Sequence, residues 1–171
     1  MKNILYVIVA LVVFTSCQKE QKIGFVDNGK LINEYQSKKD IEAKFQLKED
    51  DFRKKFDSID SAFQLEVQKF QTEAQKMSQS SAQQKYQELG KKKQLNDQQK
   101  QIEAQQFQQA FQTEIDTVIQ QVKNFVKDYG KKNGYTYILG TSDAAATVLY
   151  GTDENDLTQT ILDALNKDYK K

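Results

Sequence analysis

The chain has 171 residues, 38% hydrophobic and 29% charged, with 25 basic against 24 acidic side chains, one cysteine and no histidine, proline or tryptophan. That composition excludes a disulfide framework and a Cys/His metal centre, and it removes the imidazole on which most acid–base catalysis relies. A near-neutral balance also provides no basic surface for nucleic acid.

The N-terminus reads Met1-Lys2-Asn3, an apolar run from Ile4 to Phe14, then Thr15 and Ser16 ahead of Cys17. A positive start, an apolar core too short for a permanent span and small residues at a cleavage point describe a signal peptide over residues 1–16. Thr15-Ser16-Cys17 resembles a lipobox, with Phe14 where Leu is usual, so Cys17 is expected to be acylated and residues 17–22 to form a lipidated tether. The protein is therefore expected in the periplasm as a membrane-anchored lipoprotein. Gln18 is not the Asp that retains many lipoproteins at the inner membrane, and which membrane carries the anchor stays open. Lys2 is the only charged residue before Cys17, so the rest of the chain carries 24 basic and 24 acidic groups.

After the tether, Ile23–Val26 is an apolar run halted by Asp27-Asn28-Gly29, which predicts a short strand and a turn. Gly29-Lys30 lacks the following Ser/Thr of a phosphate loop, with Leu31 in its place, so it reads as a turn. A brief helical turn over Lys30–Tyr35 leads to Ser37-Lys38-Lys39-Asp40, similar to a capping box with Asp in place of Glu, where a long helix is expected to begin. Phe45, Phe52, Phe56, Ile59, Phe63, Phe70 and Met77 then recur at steps of seven, four and three, a heptad seam rich in Phe. Glu49-Asp50-Asp51 lies beside that seam and reads as a solvated helix face.

Ser78-Gln79-Ser80-Ser81-Ala82 interrupts the seam with small polar residues, which places the reversal of a helical hairpin near 78–82. The return helix is sparsely apolar at Tyr86, Leu89, Leu95 and Ile102, then regular through Phe107, Phe111, Ile115, Val118, Val122, Phe125 and Tyr129. Lys131-Lys132-Asn133-Gly134 closes it, with cations on the negative helix end and glycine at the left-handed cap. Two neighbouring strands are expected at Tyr135–Leu139 and Ala146–Tyr150. Thr152–Asp156 offers capping groups without the ligand spacing of a calcium loop, and Leu157, Ile161, Leu162, Leu165 and Tyr169 predict a closing amphipathic helix over the small sheet.

The fold class is therefore α+β: a long antiparallel helical hairpin, a coiled-coil-like arm over residues 36–132, on a small β head from residues 23–35 and 133–171 with a C-terminal helix. About fifty head residues make a marginal core, which favours association through the head. KIGFVDNGKLINEY at residues 22–35 and NGYTYILGTSDAAATVLYGTDENDLTQTILDAL at 133–165 carry a resemblance to the OmpH/Skp family of periplasmic chaperones. That resemblance implies a homotrimer of jellyfish-like shape, with arms around a cavity that holds unfolded outer-membrane proteins without ATP. It implies no enzyme activity and no cofactor. Family members are commonly soluble and strongly basic, whereas this chain has a lipobox-like Cys17 and is neutral.

On that reading the off-seam residues Leu47, Leu65, Val67, Tyr86 and Leu95, with Phe63 and Phe70 of the seam, are the candidate client contacts. Each seam aromatic either seals the hairpin or faces the cavity, and sealing is the normal fate of a heptad position. From Lys69 to Lys93 six lysines stand against Glu73 and Glu88, and Lys76, Lys85, Lys91, Lys92 and Lys93 form a candidate basic patch at the tip. Such a run is either a solvated face or a contact for anionic lipid or acidic client segments. The rival function is a lipid-anchored coiled-coil protein that tethers or spaces envelope layers.

Overall fold

The computed structural model of the chain describes residues 21–170, so the expected signal peptide, Cys17 and most of the tether lie outside the described residues. Strand β1 (Ile23–Asp27) leads directly into helix α1 (Asn28–Glu34), because Asp27 both ends the strand and caps the helix, its Oδ1 accepting from the Lys30 N–H at 2.9 Å. Helix α2 (Gln36–Glu73) follows after Tyr35.

The expected capping box does not form. Tyr35 is the N-cap of α2 and makes no side-chain cap bond, while Ser37 is buried one residue into the helix. The orphan N–H of Gln36 donates instead to Asn166 Oδ1 at 2.8 Å, a partner 130 residues away that no local motif reveals.

A single 3-10 turn (Ala74–Lys76) ends the first arm, and helix α3 (Gln79–Lys132) returns. Gln79–Ala82, expected in the reversal, already form the first turn of α3. Ser78 is its N-cap, with Ser78 Oγ accepting from the Ser81 N–H at 3.2 Å. The small polar run starts a helix here, since the same hydroxyl that competes with helix interiors satisfies a helix end. At 1.5 Å per residue the arms are roughly 57 and 81 Å long.

The far end of α3 closes as the sequence predicts. Gly134 has φ +73°, and the Tyr135 N–H reaches back to Gly130 O at 2.9 Å, the long bond of a Schellman motif. Strand β2 (Tyr137–Thr141) then pairs in parallel with β1, Ile23 opposite Tyr137 and Asp27 opposite Thr141. The other edge of β1 is taken at Asp156–Leu157, where the Leu157 N–H donates to Phe25 O at 2.9 Å. Gly24 permits that approach, since a Cβ there would lie 2.5 Å from Leu157 Cδ1.

Ala146–Tyr150 is not a strand. The chain after β2 turns on itself through reciprocal Ser142–Ala145 hydrogen bonds, and Leu149 and Tyr150 are left 90% and 87% exposed. An apolar alternating run becomes a strand only where it pairs with an edge; Asp156–Leu157 takes the second edge of β1, and the run does not pair with the outer edge of β2.

Helix α4 (Thr158–Tyr169) closes the head, its start held by Asp156 Oδ1, which accepts from the Thr158 N–H at 2.9 Å. Its apolar face, Ile161, Leu162 and Leu165, is buried with Val26, Leu31, Tyr35 and Leu157 in one cluster. That cluster also takes in Val118 and Val122 of α3, and Ile41 of α2 packs against it. The roots of both arms thus belong to the head's core, which reaches well inside the 36–132 span read as arm.

Candidate functional site

The hairpin is the part of the molecule that offers surface without closing over it. Near its root the Phe seam is sealed: Phe45 is buried, with its ring edge-on to Phe107 at 5.4 Å and Phe111 at 5.1 Å. Phe56 is buried beside Phe52, ring centroids 4.7 Å apart. Lysine stems and ammonium groups lie over these rings, Lys48 at 4.6 Å from Phe45 and Lys55 at 5.3 Å from Phe56.

Beyond Phe56 the packing thins. No residue of α2 between Asp57 and Glu73 is buried, and Ile59, Phe63, Val67, Phe70 and Met77 are all half-exposed. On α3 only Leu89 is buried between the tip and Val118. A seam that is dry at the root is therefore wet toward the tip.

Four inter-arm ion pairs set the register: Lys44–Glu114 and Lys55–Glu103 at 2.6 Å, Lys92–Glu66 at 2.5 Å and Lys100–Asp60 at 3.4 Å. Solvent-exposed pairs add little stability individually, but a ladder of them fixes which level of one arm faces which level of the other. The hydrogen bond from Lys92 holds the Glu66 carboxyl below its usual range, and those from Lys55 and then Gln99 do the same for Glu103. A depressed carboxyl pKa contributes stability above the unfolded value and loses it as pH falls through the folded one. Spin labels at Gln64 and Gln94 are expected to keep one narrow distance from pH 7 to 5 and to broaden only below the ordinary carboxyl value of 4.5.

Of the candidate contacts, Leu47, Leu65, Tyr86 and Leu95 are 64 to 71% exposed, whereas Val67, Phe63 and Phe70 are half-buried along the seam. Val67, expected off the seam, joins it, lying four residues after Phe63 and three before Phe70. Leu47 and Leu65 each follow a seam Phe by two residues, about 200° around the helix, and five whole turns separate them, so both point outward on one face of α2. Tyr86 and Leu95 are nine residues apart and lie on opposite sides of α3. The Lys92–Glu66 bridge brings Leu65 and Leu95 to the same level. The structure thus distributes these residues as separate apolar points along the arm and does not gather them into one patch.

Two apolar features lie outside the expected set. An open groove of about 320 Å³ runs between the arms, floored by Phe52, Phe56, Ala104 and Phe107 and rimmed by Arg53, Asp57 and Lys100. Phe52 and Phe107 also line a second groove on the other side of the seam. Ile102 is 45% exposed, one heptad after Leu95 on the same face of α3. Periodicity marks Phe52 and Phe107 as seam and cannot show that both edges stay open; Ala104 opposite Phe56 is the small residue that leaves the gap.

The family described as outer membrane protein (OmpH-like) matches residues 22–165. The chain belongs to the OmpH-like family. No curated protein matches it. Among solved structures it is similar to a candidate outer membrane chaperone (OmpH-like) from Caulobacter crescentus CB15, with a TM-score of 0.77 over 86% of this chain and 85% of that one at 12% identity. At that identity the likeness is one of fold: an OmpH-like hairpin on a small head.

The tip of this OmpH-like chain is less basic than its lysine run suggests. Lys85 pairs with Glu88 at 3.0 Å, Lys92 with Glu66, and Lys93 with Asp97. Six lysines and four carboxylates lie between Glu66 and Asp97, so the surplus over that stretch is two charges. Lys76 and Lys91 make no ion pair among the described residues. Among the described residues no cluster of three or more metal-ligating side chains is present, and no helix is long and apolar enough to cross a membrane.

Proposed function

We propose that this chain is an ATP-independent periplasmic holdase that shelters unfolded outer-membrane proteins between helical arms, anchored to a membrane through acyl chains on Cys17. The observation that carries the reading is the arm surface: leucines and a tyrosine kept about two-thirds exposed at spaced levels of an ion-paired helical frame. Each such residue alone is ordinary surface, but many weak contacts on one frame hold an extended chain more firmly than any single one. Family membership supports a chaperone role.

The working unit is a trimer joined through the head. Tyr137 and Leu139 on the outer edge strand, together with Leu149 and Tyr150, present an apolar surface and an unpaired strand edge, which a second copy can cover. A plain spacer rod requires neither this head nor the exposed arm leucines.

The test is aggregation suppression of an unfolded β-barrel protein by the purified chain, without lipid or nucleotide, alongside its mass by light scattering. A trimer that keeps the client soluble at near-stoichiometric ratio is expected. An extended trimer with no suppression supports the spacer.

A further inference from the structure

The chain enters the described structure at the far end of α3 from the arm tip. Lys22 Nζ donates to Asn133 O at 3.2 Å, at the C-cap of α3, and sits 4.1 Å over the Tyr135 ring. Lys131 and Lys132 form the last turn of the same helix, and Lys123 and Lys127 continue back from Lys131 at steps of four, a stripe on one side of α3. The buried valines of this segment, Val118 and Val122, lie on the other side, and all four α3 lysines are exposed. Asp128 is the single carboxylate between residues 123 and 132.

None of these five ammonium groups makes an ion pair among the described residues, whereas on the arms Lys44, Lys55, Lys92 and Lys100 each bridge to a carboxylate of the opposite helix. Complementing the helix dipole accounts for the last turn, at Lys131 and Lys132, but not for Lys123 or Lys127. Lys22 stands five residue steps after Cys17, a reach of at most about 18 Å even when fully extended. A lipid on Cys17 would hold this cationic end within one or two screening lengths of the bilayer, the screening length being about 8–10 Å at physiological salt.

We infer that Lys22, Lys123, Lys127, Lys131 and Lys132 form a second membrane contact, docking the head on the headgroups of anionic phospholipids beside the acyl anchor. The inference rests on the anchoring reading for its geometry, but the charge is a property of the described chain.

The test is co-sedimentation of the chain from Gln18 onward, which contains every described element and no acyl group, with phosphatidylglycerol/phosphatidylcholine vesicles or with phosphatidylcholine alone. Binding to the anionic vesicles only, lost in high salt, is expected. With roughly five-fold in affinity for each lysine near an anionic surface, K127E/K131E should bind at least twenty-fold more weakly. K76E/K91E at the tip should bind as the parent does, and unchanged melting of both variants shows that the fold is kept. Equal binding to neutral vesicles, no binding to anionic ones, or greater loss in the tip variant overturns the inference. So does a K127E/K131E chain that keeps vesicle binding while losing an acidic unfolded protein. The mass of the protein extracted from membranes reports Cys17 acylation separately, so failure of the anchor and failure of the basic face are told apart.

Discussion

Ile161→Ala is expected to destabilise the head by about 2–5 kcal/mol, the cost of removing a large aliphatic side chain from a closed core. Ile161 is wholly buried among Leu31, Val26, Leu157 and the arm roots at Val118 and Val122, so no neighbour can collapse into the space without moving an element. A head of about fifty residues has little stability to spare, and a domain's total is only some 5–15 kcal/mol. Because Val118 and Val122 lie on α3 itself, loss of the head should also release the arm roots, so helicity and head packing should melt together at a much lower temperature. Leu149→Ala is the contrasting change. That side chain is 90% exposed within the chain, so its monomer stability should move by less than about 0.5 kcal/mol, while association should weaken if copies meet on this surface. Calorimetry with light scattering reads both effects.

The second large effect is expected from replacing Leu47, Leu65, Tyr86 and Leu95 together by Ser. None is buried, so circular dichroism should show nearly unchanged helix content, with a small loss from the poorer helix propensity of Ser. Each removed side chain offers a client about 1 kcal/mol of partial apolar burial. Four such losses should weaken client protection by well over tenfold, and single replacements by only a few-fold. Phe63→Ser or Phe70→Ser should behave differently, since each is half-buried in the thin part of the seam and its loss should loosen the arm as well as the client. If the quadruple variant suppresses aggregation as well as the parent, the exposed residues are not the contact surface.

What was legible in the sequence was whatever is determined locally. The Phe seam from Phe45, the glycine cap at Gly134 and the apolar face of α4 all depend on neighbours within a turn or two, and the structure has them as expected. The misses involve partners far away in the chain. Ser37 looked like a cap because its neighbours fit the motif, but Asn166, brought in by α4, supplies the bond. Ala146–Tyr150 has the composition of a strand, yet a strand forms only where it pairs with an edge, and composition does not report pairing. Val118 and Val122 continue the same periodic pattern as Phe107 and Phe111, so nothing in the spacing marks where seam ends and head core begins. Exposure along the arms was half legible: being off the seam foretold it for Leu47, Leu65, Tyr86 and Leu95, but not the open grooves beside Phe52 and Phe107.

The central claim is that the arms, and not the head, hold an unfolded client. Photo-crosslinking reads this directly, with a reactive amino acid placed at Leu65, Leu95 or Tyr150 in turn and an unfolded β-barrel protein supplied. Strong adducts from Leu65 and Leu95 that vanish once the client has folded, with Tyr150 joining copies of this chain to each other, are the predicted result. Adducts to the client from Tyr150 and none from the arm positions would contradict the account.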